Sequence, residues 1–157
     1  MTKAKAAGNA GEFYVLAQLA QRGYIAGKTD DGQTLIDVIA TDEESLKTVN
    51  IQVKTTFEGL SPPEWIMSKK NEQSFKNLWY VLVEGSSNDK LPNFYIYKSS
   101  EIGPWLANDH STWLTIPKKN GEPRKDTNMR VFKPTFDELT AHKDKWDLMF
   151  SKTSQAF

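Results

Sequence analysis

Apolar residues near the start of the chain recur at the three- and four-residue spacing of an α-helix. This spacing runs over residues 10–22, and a glycine ends it. Glu12 lies on the same stripe as Leu16 and Leu19, so we expect its side chain at the inner edge of the face that packs on a sheet. Because Asn9 precedes Glu12 by three residues, the pattern also predicts a capping box at the helix start, where a negative charge is stabilised.

Strand patterns follow this helix. Residues 24–28 predict a short strand, and Asp31-Gly32 predicts the turn after it. Residues 35–40 are apolar except for Asp37, whereas residues 48–57 alternate and are rich in β-branched side chains. We expect the last two segments to pair as an antiparallel hairpin.

The rest of the chain predicts further helices and strands. Residues 78–83 form a continuous apolar run, which is typical of a strand buried on both faces. The other predicted elements are a polar helix at 68–77, a strand at 93–98, a short helix at 101–108, strands at 113–116 and 129–132, and a closing helix at 137–150. This order predicts an α/β fold with a mixed central β-sheet flanked by helices.

The length and composition restrict the class of protein. The chain has 157 residues, of which 38% are hydrophobic, so we expect one globular domain. The absence of cysteine excludes disulfides, thiolate metal sites and a catalytic thiol, and it suits a reducing cytoplasm. No apolar signal segment or membrane-spanning stretch is present in the sequence, so we expect a cytoplasmic protein with no membrane contact.

Charge is balanced overall but uneven along the chain. The 20 basic and 20 acidic residues give a net charge of zero, which argues against a protein that coats nucleic acid non-specifically. Acidic residues cluster over 30–44, and basic residues cluster over 118–133. The clusters predict either two solvated loops or an acidic metal pocket beside a loop that contacts phosphate.

The predicted hairpin carries polar side chains where burial is expensive. Gln52 and Lys54 are two residues apart and share one face of their strand, while Asp37 interrupts the apolar run of the other strand. A buried charge is costly unless it is paired or bound to a cation, so a register that places Asp37 opposite Gln52 and Lys54 reduces both costs. Taken singly, Asp37 and Lys54 also suit a strand edge, and Glu12 suits a helix cap. A single shared site explains the positions of all four residues, Glu12, Asp37, Gln52 and Lys54.

These residues resemble the motif of the restriction-endonuclease-like superfamily, the PD-(D/E)-X-K nucleases. The segments around Glu12, Asp37 and Lys54 read GNAGEFYVLAQLAQRGY, TLIDVIATD and VNIQVKTT. The resemblance implies a core of helix, three-stranded meander, helix and strand over about residues 8–100 of this single domain, with a C-terminal elaboration over about 101–157. Ile36 replaces the usual proline before Asp37. Gln52 replaces the usual acidic residue and removes a negative charge, which predicts weaker metal binding and favours a site for one metal ion over a site for two.

The resemblance implies a Mg²⁺- or Mn²⁺-dependent endonuclease that acts on nucleic-acid phosphodiester bonds, DNA above all. Asp37 and the backbone carbonyl of Val53 are the expected metal ligands, and Glu12 is expected to bind the metal directly or through water. Gln52 is expected to orient a water or coordinate weakly, and Lys54 to hold the attacking water.

The expected partner is nucleic acid, and a homodimer is expected because cleavage of a duplex needs two sites. The candidate nucleic-acid contacts are Lys69, Lys70, Arg124, Lys125 and Arg130. Two alternatives stay open. In the first, the chain is a catalytically inactive nuclease-fold module that binds nucleic acid or a protein. In the second, it is a different α/β protein in which Asp37 and Lys54 form a plain ion pair. His110 and His142 match no metal-ligand spacing, and we expect both to be solvated.

Overall fold

The computed structural model describes residues 1–30, 35–57, 59–87 and 89–151. The helices are α1 (Lys3–Gln21), α2 (Ser99–Thr115) and α3 (Phe136–His142), with short 3₁₀ helices at Lys69–Glu72 and Trp146–Met149. The strands are β1 (Ile25–Lys28), β2 (Val38–Thr41), β3 (Thr48–Phe57), β4 (Trp65–Ser68), β5 (Leu78–Gly85), β6 (Asn93–Lys98) and β7 (Met129–Phe132). Within the described ranges, no helix is long and apolar enough to cross a membrane.

The central sheet is mixed, as the sequence predicted. Its five strands have the order β1-β2-β3-β5-β6, and only the central β3–β5 pair is parallel among the four neighbouring pairs. The predicted antiparallel hairpin of β2 and β3 is confirmed, with Val38 opposite Ile51. β4 leaves this sheet and pairs with β7 in a separate two-stranded ribbon.

Each face of the central sheet carries its own hydrophobic core. On one face, Val15 and Leu19 of α1 pack against Ile51 of β3 and its neighbours. On the other face, Ile102 and Leu106 of α2 pack with residues of the ribbon. β5 supplies alternate side chains to both cores, which confirms the prediction of a doubly buried strand and explains why its sequence is continuously apolar.

α1 begins earlier than its apolar pattern predicted. The helix starts at Lys3, and Thr2 caps it by accepting a 3.2 Å hydrogen bond from the Lys5 N–H. The predicted cap at Asn9 is therefore wrong, and Glu12 lies in the middle of α1 rather than at its N-terminal end. The added turns are rich in alanine, which favours helix without contributing an apolar stripe.

The C-terminal half differs from the predicted elements in several places. The predicted polar helix at 68–77 is only the 3₁₀ helix Lys69–Glu72, and the unpredicted strand β4 precedes it. The predicted short helix at 101–108 is the longer α2. Its last turn contains residues 113–115 of the segment 113–116 that was predicted as a strand. Residues at four-residue spacing, including Ile102 and Leu106, keep one face of α2 buried, so helical packing prevails over local strand propensity.

The predicted closing helix at 137–150 is divided. α3 ends at His142, because the chain then pairs with β6. Lys143 forms a β-bridge with Tyr95, and the Asp144 N–H donates to the Phe94 carbonyl at 3.0 Å. The predicted turn at Asp31-Gly32 lies outside the described residues.

Gly11 is the point of closest approach between α1 and the sheet. A Cβ atom at Gly11 would lie 1.9 Å from the Oγ1 atom of Thr55, whereas a Cβ at Gly8, on the same helix, would meet nothing within 4 Å. The absence of a side chain at Gly11 therefore sets how closely α1, and Glu12 beside it, can approach β3.

We expect Gly11→Ala to lower the free energy of unfolding by about 1–3 kcal/mol, because α1 must move away from β3. Gly8→Ala is the matched control, and it should raise stability by about 0.5–1 kcal/mol through helix propensity alone. Equilibrium unfolding in urea measures both variants. Equal effects of the two substitutions would contradict the tight approach of α1 and β3.

Candidate functional site

Asp37 is fixed by two hydrogen bonds to the middle of β3 and by one to Thr29, which follows β1. The Asp37 N–H donates to the Ile51 carbonyl at 2.9 Å, and its own carbonyl accepts from the Thr29 N–H at 3.0 Å. Its carboxylate oxygen Oδ2 accepts from the Val53 N–H at 2.7 Å. The carboxylate therefore lies beside the strand segment that carries Gln52 and Lys54, which is the register the sequence favoured.

Burial disfavours the charged forms of both Asp37 and Lys54. It is the largest cause that raises the pKa of Asp37, and the hydrogen bond from Val53 opposes it. Burial likewise lowers the pKa of Lys54, and the charge of Asp37 opposes that shift. No salt bridge to Lys54 is present in the described part of the chain, so the two groups interact without forming a closed ion pair.

Glu12 reaches the same cluster from α1. Its Oε2 atom lies 2.5 Å from Nζ of Lys28 at the end of β1, and both side chains are mostly buried. The charge of Glu12 raises the pKa of Asp37, and the charge of Lys28 lowers it. No motif in the sequence marks Lys28, so it was not among the predicted site residues. The only available signal is its position at the end of the strand that precedes Asp37.

Gln52 belongs to a buried amide network on the opposite face of the sheet from α1. Its side chain is 6% exposed, and its Oε1 accepts from Nδ2 of Asn71 at 2.8 Å. Asn71 is 1% exposed and also donates from Nδ2 to the Tyr80 hydroxyl at 2.9 Å. Sequence reasoning missed Asn71 because a polar residue in a polar segment gives no sign that it is buried.

The donor set fits one hard cation and does not fit two. The described residues contain no group of three or more His, Cys, Asp or Glu side chains able to hold a metal. Asp37 and Glu12 are two carboxylates whose charges oppose each other, and burial further disfavours ionised Asp37. A single Mg²⁺ would relieve both costs and would keep water in its remaining positions. The carbonyl of Val53 is the further oxygen donor that the motif implies.

The predicted nucleic-acid contacts fall into one connected region. Lys69 and Lys70 are exposed on the 3₁₀ helix that carries Asn71. The Lys69 N–H donates to the Asn128 carbonyl at 2.9 Å, which attaches the basic loop over residues 117–128 to this helix. In that loop, Lys125 is exposed, while the Arg124 guanidinium lies over the ring of Trp113, 4.6 Å from its centre.

Arg130 belongs to the same region but differs from the other predicted contacts because it is buried. The residue is 3% exposed, and its guanidinium pairs with Glu72 at 2.5 Å and donates to the Thr127 carbonyl at 2.7 Å. These bonds hold the basic loop against the 3₁₀ helix, so its guanidinium does not face solvent. His110, expected to be solvated, is also buried, with Nε2 2.7 Å from Oδ1 of Asp126 in the same loop.

Comparison with solved structures identifies the fold. The chain superimposes on the bacterial homing endonuclease I-Ssp6803I with a TM-score of 0.59 and 10% sequence identity, over 99% of this chain and 98% of that one. The Holliday junction resolvase Hjc of Archaeoglobus fulgidus gives a TM-score of 0.42 at 11% identity, over 82% of this chain and 90% of the other. No family model and no curated protein matches the sequence. The chain has the restriction-endonuclease-like fold, as its motif predicted.

We expect Asp37→Asn to stabilise the metal-free protein at neutral pH. Because burial raises the pKa of Asp37 in the folded state, ionised Asp37 costs stability above that pKa and costs nothing below the unfolded value of about 3.9. The gain in the free energy of unfolding should therefore be present at pH 7 and absent near pH 3. Urea unfolding in EDTA across this range measures it.

Asp42→Asn is the matched control, since Asp42 lies on the same hairpin and a hydrogen bond from Ser45 lowers its pKa. Its ionised form stabilises the fold, so this substitution should lose stability at pH 7, and the loss should disappear in acid. A loss of stability in Asp37→Asn at pH 7 would instead mean that the attraction between Asp37 and Lys54 dominates.

Proposed function

We propose that the chain is a metal-dependent endonuclease that hydrolyses phosphodiester bonds of DNA with Mg²⁺ or Mn²⁺. One observation carries the proposal. In a restriction-endonuclease-like fold, Asp37 and Lys54 lie side by side in environments that disfavour both of their charges. Such perturbed groups cluster at functional sites, and a cation beside Asp37 and a phosphate beside Lys54 relieve both costs.

Asp37, the Val53 carbonyl and Glu12 would hold the metal ion. When bound, the ion supplies Lewis-acid stabilisation of the phosphate and makes a bound water more acidic. The bond from the Val53 N–H orients the Asp37 carboxylate before any ligand arrives. Lys28 keeps the charge of Glu12 balanced and within range of Asp37.

Lys54 would position the attacking water and stabilise charge on the phosphate. Burial lowers the pKa of its ammonium, so its Nζ gives up a proton more easily than an exposed lysine does. A general acid or base is more effective when its pKa lies nearer the working pH, which is the direction in which burial moves the pKa of Lys54. The nearby charge of Asp37 limits this shift and keeps Lys54 able to attract an anion.

DNA is the proposed substrate because a homing endonuclease shares this fold over 99% of this chain. With a net charge of zero, the chain must rely on a local basic region. We propose that Lys69, Lys70, Arg124 and Lys125 contact DNA phosphates, while Arg130 holds the basic loop in place. We also propose that a homodimer supplies two sites to a duplex.

A second function is favoured by the small number of carboxylates. Gln52 replaces an acidic residue of the motif, and the described residues offer no cluster of three metal-binding side chains. A module that binds nucleic acid or a protein partner without cleaving has the same fold and does not need the metal. Metal-dependent cleavage separates the two functions.

We expect Lys54→Met to reduce cleavage at least about a hundredfold, since it removes the proposed proton-transfer and anion-stabilising group. The measurement is cleavage of plasmid DNA, single-stranded DNA and RNA with Mg²⁺, Mn²⁺ or EDTA. Lys98→Met is the matched control, because Lys98 lies at the end of β6, away from β1 to β3. Cleavage that persists in Lys54→Met or in EDTA would contradict the proposed site. Binding without any cleavage would favour the inactive module.

We expect Lys70→Ala and Lys125→Ala each to weaken DNA binding to a similar extent across sequences. Each should also reduce the slope of log affinity against log salt concentration by about one, because one phosphate contact is lost. Titration of labelled duplex DNA at several salt concentrations measures this slope, with Lys98→Ala as the control. An unchanged slope would place the phosphate-binding surface elsewhere.

A further inference from the structure

The orientation of the Asn71 side chain is fixed by a backbone group. The Ser68 N–H donates to Oδ1 of Asn71 at 2.8 Å, and a backbone N–H has no ability to accept. Asn71 must therefore turn its oxygen toward Ser68 and its nitrogen toward Gln52 and Tyr80. This assignment follows from hydrogen-bond chemistry and does not depend on telling nitrogen from oxygen by position alone.

The orientation of Asn71 in turn fixes that of Gln52. Because Asn71 presents a nitrogen to Gln52, the atom of Gln52 that faces it must be the acceptor Oε1, and the two atoms lie 2.8 Å apart. Nε2 of Gln52 then lies on the other side of the carboxamide, turned away from Asn71. In the described part of the chain, Nε2 of Gln52 has no hydrogen-bond partner.

We propose that Asn71 is a positioning residue that makes Gln52 a hydrogen-bond donor rather than a metal ligand. The carboxylate of Asp37 is bonded to the N–H of Val53, the residue after Gln52, and Gln52 shares its strand face with Lys54. The Gln52 nitrogen is therefore assigned to the same site. The ligand of Nε2 is an oxygen of bound phosphate or of water held at that site. The choice of ligand rests on the proposed function, whereas the orientation of Gln52 does not.

The orientation of Gln52 explains what a glutamine can do at this position that the usual acidic residue of the motif cannot. A glutamate at this position also accepts the bond from Asn71, but its second oxygen repels a phosphate. Glutamine keeps the bond to Asn71 and offers a donor to the anion. Because the 3₁₀ helix of Asn71 also carries Lys69 and Lys70, one short element supports Gln52 and two cationic side chains.

Hydrogen exchange of side-chain amides tests the orientation directly in the ¹⁵N-labelled wild-type protein. We expect the Nδ2 protons of Asn71 to exchange slowly, since they are donated to Gln52 and Tyr80. The Nε2 protons of Gln52 should exchange rapidly. The signals are assigned from their disappearance in Asn71→Asp and Gln52→Glu. Slow exchange at Gln52 with rapid exchange at Asn71 would overturn the proposal whether or not the protein cleaves DNA.

Asn71→Asp tests whether the orientation of Gln52 affects metal binding and cleavage, because it replaces the hydrogen-bond donor that faces Gln52 with an acceptor. An aspartate accepts from both Ser68 and Gln52, so Nε2 turns inward and Oε1 turns toward the site. We expect Mn²⁺, titrated without DNA, to bind more tightly, and kcat for cleavage to fall by about tenfold to a hundredfold with KM little changed.

A double-mutant cycle with Gln52→Ala separates positioning from the added charge. If Asn71 acts through Gln52, the Asn71→Asp substitution should lose most of its effect on Mn²⁺ affinity and on kcat in the Gln52→Ala background. Equal effects in both backgrounds would show a merely structural or electrostatic role and would overturn the proposal. If the wild-type protein cleaves nothing, the exchange and Mn²⁺ measurements still decide the orientation, and only the nuclease function fails.

Discussion

The site depends on one hydrogen bond across the β2–β3 hairpin, from the Val53 N–H to the carboxylate of Asp37. A charge-assisted bond of this kind is shorter and stronger than a neutral one, and it gives the buried carboxylate a partner. It also decides which residues of β3 lie beside Asp37. A shift of one residue would move Gln52 and Lys54 to the other face of the sheet and leave two apolar side chains in their place.

The two cores on opposite faces of the sheet bring the remaining groups to this point. On the α1 face, the close approach at Gly11 lets Glu12 and Lys28 act on Asp37. On the α2 face, Asn71 of the 3₁₀ helix is the buried partner of Gln52 and is itself held by Ser68 of the ribbon. The charged groups therefore meet in a partly desolvated place, where their interactions are stronger than they are in water. The same desolvation disfavours the charged forms of Asp37 and Lys54.

Local patterns of apolar and polar residues predicted most elements in the first half of the chain. Period-two alternation indicated β3, an unbroken apolar run indicated β5, and a helical stripe indicated α1. These patterns predict the elements correctly because each element buries one or both of its faces. The buried positions then recur in the sequence with the period of the helix or strand. The misplaced elements lie where packing between distant segments prevails over local preference. β4 is a strand because β7 pairs with it, and α3 ends because Lys143 and Asp144 bond to β6.

The sequence by itself determined the order of helix, hairpin and buried strand. It also placed Glu12 on the helix and Gln52 and Lys54 on the second hairpin strand, whereas Asp37 lies immediately before β2 rather than within the strand predicted over 35–40. Only the tertiary structure showed that Lys28 pairs with Glu12, that Arg130 is buried against Glu72, and that Asn71 faces Gln52 across 19 positions of sequence. Burial and hydrogen-bond polarity are properties of three-dimensional surroundings. The identity of a polar residue does not indicate whether its hydrogen bonds will be made to solvent or to another residue.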